Sequence, residues 1–336
     1  MRKKVFIHCE ITKREFDAKV ILSATAALEG FEIYLGNILG LRLTQIPSYS
    51  IFHHKDCTPG KLNLNLFKNL KKNKIYITCQ DEEGGIEEKK IFFSKPPIGF
   101  FHYRFGKKSI KLVDAIFTWS NYDYKNLLKR FKNYKQKFFR TGNPRADLWS
   151  RNFENFYNSN DKKKYILVNS HTGGISLNKS FDEILETTKN AYYLNNKPRF
   201  NKFKKLWFEE YSNRTKYFYK LSNSLIKLAN KFPKQQIIFR PHPMESLEKW
   251  KYIFKDCSNM IISKENTSTY WMHRAKVLIQ NGCYTSIEAA NLGVDIITFV
   301  PPEIKKHVKT FTSSLGMKCK TDNELFATVN KFLKNE

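Results

Sequence analysis

Val277-Leu278-Ile279, then Asn281-Gly282-Cys283-Tyr284-Thr285-Ser286-Ile287-Glu288-Ala289-Ala290-Asn291-Leu292-Gly293, then the apolar run Val294 to Val300: this stretch decides the fold. It reads as a buried strand, a polar loop, a short helix over Ile287–Leu292 and a second buried strand, the unit of a parallel α/β sheet. Gly293 is placed to end the helix, and Thr285 and Ser286 stand at its start. Upstream, the apolar run Gln236-Ile237-Ile238-Phe239 leads directly into Arg240-Pro241-His242-Pro243. Open α/β sheets bind ligands at the carboxyl ends of their strands, and both stretches put polar groups there.

The same alternation extends along the chain. Strands are expected at Lys4–His8, Phe31–Leu35, Tyr49–His53, Lys74–Thr78, Ala115–Trp119 and Lys137–Arg140. Helices are expected at Asp17–Leu28, Pro59–Lys72 and Tyr122–Tyr134. The polar stretch Asn152–Lys163 suits a linker, after which strands resume at Lys164–Val168, Gln236–Phe239, Asn259–Ile262, Lys276–Ile279 and Asp295–Val300. A long helical region covers Asn201–Asn230, and Asp322–Leu333 reads as an amphipathic helix. The division expected is an N-terminal domain over 1–155, a C-terminal domain over 156–320 and a terminal helix over 321–336.

Composition bounds the function. With 336 residues, 41% hydrophobic and 15% aromatic, the chain builds packed interiors and is not a disordered protein. No apolar run is long enough to span a bilayer, and Val5-Phe6-Ile7 is too short for a signal-peptide core. Six cysteines without a CxxC pair read as reduced thiols, so the expectation is a soluble cytoplasmic protein. The net charge of +28 draws the chain toward anions. Its lysines are spread throughout, which fits a global compositional bias as well as peripheral contact with an anionic membrane. No RNP-like, zinc-finger or helix-turn-helix signature points to specific nucleic-acid binding.

The chemistry begins at the helix start. A hydroxyl of Thr285 or Ser286 can cap the helix, and free N–H groups there favour an anion. Gly282 allows close backbone approach, and Glu288 stands where a carboxylate meets ribose hydroxyls. The same residues also fit an ordinary strand–loop–helix connection with a capping serine. Arg240 offers a planar fork for phosphate oxygens and His242 a further donor, both leaving a backbone stiffened by two prolines.

Gly282, Thr285-Ser286, Glu288-Ala289 and Gly293, followed by an apolar strand and Pro301-Pro302, resemble the nucleotide-sugar half of GT-B-type glycosyltransferases and sugar-nucleotide 2-epimerases. Thr141-Gly142-Asn143-Pro144-Arg145-Ala146-Asp147-Leu148 resembles the last strand and hinge of their N-terminal domain. With Asp81-Glu82-Glu83-Gly84 and Ile166-Leu167-Val168-Asn169-Ser170, these segments look most like bacterial surface carbohydrate biosynthesis proteins. Arg240-Pro241-His242-Pro243 is similar to the His-Pro motif of transferases using cytidine-activated donors: Kdo transferases, sialyltransferases and the glycerophosphotransferases of teichoic acid synthesis.

The resemblance implies an α/β protein of GT-B type, two Rossmann-like domains facing across a cleft, moving a sugar from a nucleotide donor, CMP-linked by the His-Pro likeness, to a glycan or lipid-linked acceptor. It places His242 near the donor phosphate, with Arg240 beside it or packing behind, Thr285 and Ser286 on the same phosphate, and Glu288 on the ribose. The loop Asn169-Ser170-His171-Thr172-Gly173-Gly174 closes over the donor. The epimerases carry a His-Arg-rich sequence in that loop that is absent here, which weighs against the epimerase alternative. A third alternative is a non-catalytic scaffold that binds polyanions. For an inverting transfer a base takes the acceptor proton, and Asp81, Glu82 and Glu83 are the candidates, since adjacent carboxylates raise one another's pKa. His8 and His102 are lesser candidates. No Asp-x-Asp motif stands out, so the nucleotide sugar is expected as co-substrate without a metal or other cofactor.

Overall fold

The computed structural model describes residues 2–83, 90–91, 98–99, 104–157, 165–172, 180–191, 197–302 and 311–334. The chain divides into two compact units, Met1–Leu148 and Trp149–Glu336.

In the first unit, β1 (Lys4–His8), β2 (Glu32–Gly36), β3 (Ile51–His54) and β4 (Tyr76–Gln80) precede a short antiparallel pair, β5 (Lys90–Ile91) and β6 (Ile98–Gly99). Strands β7 (Ala115–Thr118) and β8 (Phe138–Arg140) follow. The main sheet is parallel in the order β2-β1-β3-β4-β7-β8. Its helices are α1 (Thr12–Leu28), α2 (Lys61–Lys72), α3 (Lys107–Leu112), α4 (Asn121–Arg130) and α5 (Pro144–Asp147). Phe52, Phe67, Ile77, Ile110, Ile116 and Leu127 form the centre of its core.

The second unit repeats the layering with β9 (Tyr165–Asn169), β10 (Ile237–Arg240), β11 (Met260–Ile262), β12 (Ala275–Gln280), β13 (Asp295–Phe299) and β14 (Met317–Cys319). All pairings are parallel, in the order β11-β10-β9-β12-β13-β14. Every residue of β9 and β10 is buried, as expected of central strands covered on both faces. Its helices are α6 (Phe181–Ala191), α7 (Lys197–Lys231), α8 (Leu247–Ile253), α9 (Ser268–Met272), α10 (Thr285–Asn291), α11 (Phe311–Ser314) and α12 (Asp322–Lys334). Leu225 and Leu228 of α7, Trp250 of α8 and Leu325 and Val329 of α12 pack over the sheet in one core.

Differences from the expected elements have local causes. Strands β3 and β4 start two residues later than expected because Tyr49 (φ 64°) and Lys74 (φ 57°) adopt the left-handed region and turn the chain. Helix α4 stops at Arg130, since Phe131 leaves helical geometry (φ −124°) and a 3-10 turn follows. The units divide after Leu148, ahead of the boundary expected near residue 155. In the structure Tyr157 is buried in the second unit, its ring 4.7 Å from that of His273 and its carbonyl accepting from Arg274 Nη2 at 3.1 Å. Helix α12 packs on β12, β13 and β14, within that same unit. Among the described residues no helix is long and apolar enough to cross a membrane.

Candidate functional site

In the second unit the chain winds outward from β9 in both directions, to β10 and β11 on one side and β12 to β14 on the other. That is the Rossmann order, with its switch point at the carboxyl end of β9. Loops after β9, β10 and β12 converge there. Glu245, 2% exposed, joins the first two. Its Oε1 accepts from Thr172 N (2.8 Å) and Thr172 Oγ1 (2.7 Å). Its Oε2 accepts from Trp250 Nε1 (3.0 Å), His242 N (3.3 Å) and the Ser170 hydroxyl. The imidazoles of His171 and His242 lie side by side, ring centroids 5.8 Å apart. Met244 N donates to His242 Nδ1 at 3.2 Å, a contact that assigns the ring proton to Nε2. From the β12 loop, Asn281 Nδ2 donates to the His171 carbonyl at 3.2 Å. Of the glycines expected to close the β9 loop, Gly173 and Gly174 lie outside the described residues.

Arg240 turns toward the loop that follows β11. Its Nη1 donates to the Glu265 carbonyl (2.5 Å) and its Nη2 to the Asn266 carbonyl (3.0 Å), with the guanidinium over the Trp271 ring. Burial pushes it down to about 10, while nearby Glu288 acts in the opposite sense. It braces the turn before α9, where Asn266 takes a positive φ. Glu288 is 2% exposed and accepts from Thr269 Oγ1 at 3.3 Å. Asn169 donates through Nδ2 to Ser268 Oγ at 3.4 Å, and its buried Oδ1 has no partner among the described residues.

The start of α10 also departs from the phosphate grip expected of it. Gly282 takes the positive φ (100°) that a glycine allows, but its N–H donates to Gln280 Oε1, as does Cys283 N at 2.8 Å. Ser286 is fully buried, its hydroxyl turned to the carbonyls of Cys283 (2.9 Å) and Thr312 (3.0 Å). The N–H groups of Ser286 and Ile287 close turns onto Cys283 and Tyr284. Protein acceptors therefore occupy five N–H and O–H donors that an anion would need. Thr285 Oγ1 and Asn281 Oδ1 are buried without a hydrogen-bond partner among the described residues.

In the first unit each of the three adjacent carboxylates lies against a cation, and Arg104 serves two of them. Asp81, 3% exposed, takes Arg104 Nε and Nη2 at 2.7 Å each. Burial pushes its pKa up and Arg104 counters it. Glu82, also 3% exposed, pairs with buried Lys19 at 2.6 Å, and its Oε2 has no hydrogen-bond partner among the described residues. Glu83 reaches solvent and lies 3.4 Å from Arg104 and 3.6 Å from Arg14. The Gly142–Leu148 segment locks this turn. Gln80 Nε2 donates to the Gly142 carbonyl (2.6 Å), Asn143 caps α5, and Arg145 Nη1 donates to the Glu82 carbonyl (2.9 Å).

Beside this turn, at the ends of β1 and β3, stand His8, His53 and His54, all buried. Burial pushes His8 down to about 3, with His54, Lys55 and Lys19 adding repulsion. Burial lowers His53 and His54 as well. Among the described residues, His8 Nδ1, His53 Nε2 and His54 Nε2 have no hydrogen-bond partner. His102 and Gly84-Gly85 lie outside the described residues. Among the described residues, no group of three or more His, Cys, Asp or Glu side chains is arranged to hold a metal ion.

No protein-family model and no curated protein matches the chain in sequence. Solved structures do match. The wall teichoic acid polymerase TagF, as a variant soaked with CDP-glycerol, superposes with a TM-score of 0.59 at 10% identity, over 99% of this chain and 80% of that one. The UDP-GlcNAc 2-epimerase of Neisseria meningitidis bound to UDP-GlcNAc gives 0.51 at 12% identity, over 99% and 92%. The S. aureus MnaA–UDP structure gives 0.50 at 11%, over 100% and 89%.

The fold is GT-B. Within it, Glu245 is the residue at the candidate site that the motifs do not point to. Its signal was an acid three residues after His242, in a loop leading to the apolar Trp250.

Proposed function

We propose that this GT-B protein is a glycosyltransferase that moves a sugar from a nucleotide donor to a glycan or lipid-linked acceptor in surface polysaccharide assembly. The observation that carries the reading is the His171–His242 pair at the Rossmann switch point of the second unit. A donor phosphate seated there takes hydrogen bonds from the imidazoles, and His242 offers Nε2–H in its neutral form. Glu288 and the unpartnered oxygens Asn169 Oδ1 and Asn281 Oδ1 are acceptors, suited to ribose and sugar hydroxyls. TagF, soaked with CDP-glycerol, and the epimerase bound to UDP-GlcNAc support nucleotide-linked donors for this fold. The His-Pro likeness favours cytidine.

In this reading the acceptor hydroxyl attacks the anomeric carbon as the bond to the donor phosphate breaks, and the proton passes to Glu83. Asp81 and Glu82 are held in buried ion pairs, whereas the Glu83 side chain is 41% exposed. The charge of +28 fits an anionic, lipid-linked or polyanionic acceptor at a membrane surface. The imidazole pair supplies the donors the leaving phosphate needs, so the proposal includes no metal.

Calorimetric titration with CMP, CDP, UDP and GDP tests the reading. Cytidine nucleotides are expected to bind, and His242→Ala to weaken them by about ten-fold or more, as loss of a hydrogen bond to a charged group does. Glu83→Gln should leave that affinity unchanged and lower turnover. Binding of none of the four at millimolar concentration would remove the donor site.

A further inference from the structure

We infer that Glu245 is the positioning residue that makes the β9 and β10 loops a single phosphate-binding surface. The inference rests on the donor reading of the His171–His242 pair and adds what holds that pair together.

A carboxylate has about four lone-pair sites, and Glu245 receives five donors. Two come from the β9 loop through Thr172, and one more from that loop through the Ser170 hydroxyl. One comes from the β10 loop, the backbone N–H of His242 itself. The fifth is Trp250 Nε1. Trp250 is fully buried, its ring centroid 4.5 Å from that of Phe239 and 4.9 Å from that of Phe218. The carboxylate thus hangs from the rigid core by the indole and holds both loops from below. The Glu245 backbone N–H closes the same turn onto the His242 carbonyl at 2.8 Å.

The arrangement requires a carboxylate and excludes its amide. Hydroxyls of Ser170 and Thr172 can rotate to accept, but a backbone or indole N–H cannot. Oε1 faces one such obligate donor, Thr172 N, and Oε2 faces two, His242 N and Trp250 Nε1. In Glu245→Gln either orientation of the amide sets an NH2 group against an N–H. One loop must then move, and the spacing of the two imidazoles moves with it. Fully buried, hydrogen-bonded carboxylates of this kind resist replacement because the orphaned donors stay desolvated.

The test is calorimetry on the full chain with CDP, inorganic pyrophosphate and cytidine, for the native protein and Glu245→Gln. The expected result is a loss of about ten-fold or more for CDP and pyrophosphate, with cytidine affinity retained. A role limited to general support of the unit would weaken cytidine equally, and that result would overturn the inference. So would unchanged CDP affinity in the variant. If Glu245→Gln does not fold, Ser170→Ala, which removes one rotatable donor, should still weaken pyrophosphate several-fold and spare cytidine; no change there counts against Glu245. Failure of the native protein to bind CDP or pyrophosphate at all sinks the donor reading instead, and is told apart by that.

Discussion

Replacing Glu82 by alanine is expected to destabilise the first unit by about 3–5 kcal/mol, the usual cost of stranding a buried charge. Lys19 and Glu82 side chains are 4% and 3% exposed and 2.6 Å apart, so the ammonium left behind has no water to turn to. Lys19→Met alone should cost about as much, leaving a carboxylate whose Oε2 already has no partner. The double variant Lys19→Met/Glu82→Leu should regain most of the loss, because two apolar side chains of similar volume carry no desolvation penalty. Urea unfolding of the three variants measures this. A Glu82→Ala cost below about 1 kcal/mol would place Glu82 in the class of exposed ion pairs and contradict the buried geometry. A large loss of stability also makes Glu82 a poor choice for a proton-transferring base, which has to change charge in turnover.

The second large effect is acid sensitivity of the same unit. His8 is depressed from its ordinary value near 6.5 to about 3, and His53 and His54 are depressed in the same direction. The unfolded chain therefore binds protons at these positions before the folded one does. Stability is full above about pH 6.5 and falls as pH drops toward 3, by about 1.4 kcal/mol per pH unit for each histidine that stays neutral. Charges facing the cluster are Lys19, Lys55, Asp56 and Glu10. Asp56 is depressed too, by His54, Arg104 and Lys55 against its burial, and adds to the loss below its unfolded value near 3.8. Asp81, raised by burial, works against the trend in its own range. Hydrogen exchange on the full chain, corrected for intrinsic rates, should show protection of β1, β3 and β4 falling steeply between pH 6.5 and 4. His8→Phe should flatten that slope. Equal protection across the range would mean the imidazoles are solvated and titrate normally.

Much of the fold was legible because the second sheet is written in continuous apolar runs. Tyr165–Asn169, Ile237–Arg240 and Ala275–Gln280 each end in polar residues, and that pattern placed the ligand-binding edge. Helix α1 was less legible for a physical reason: its buried residues are Glu15, Ala18 and Lys19, so its inward face is largely charged and shows no apolar period. Strand order carries no local signal, since neighbours such as β9 and β12 are distant in sequence.

In the site, residue types were readable and their partners were not. Asp81-Glu82-Glu83 looked like mutual repulsion because Arg104, Lys19 and Arg14 arrive from other elements. Gly282 and Thr285-Ser286 looked like an anion grip because nothing in the spacing shows Gln280 Oε1 taking the Gly282 and Cys283 N–H groups and the Thr312 carbonyl taking the Ser286 hydroxyl. Arg240 looked like a phosphate ligand until the turn at Glu265–Asn266 claimed its guanidinium.

A crystal structure of the native chain with CDP bears most directly on the central claim that the second unit holds a nucleotide at the carboxyl end of β9. The account predicts phosphate oxygens about 3 Å from the imidazoles of His171 and His242, and ribose hydroxyls toward Glu288 and Asn169. CDP bound away from both histidines would contradict it.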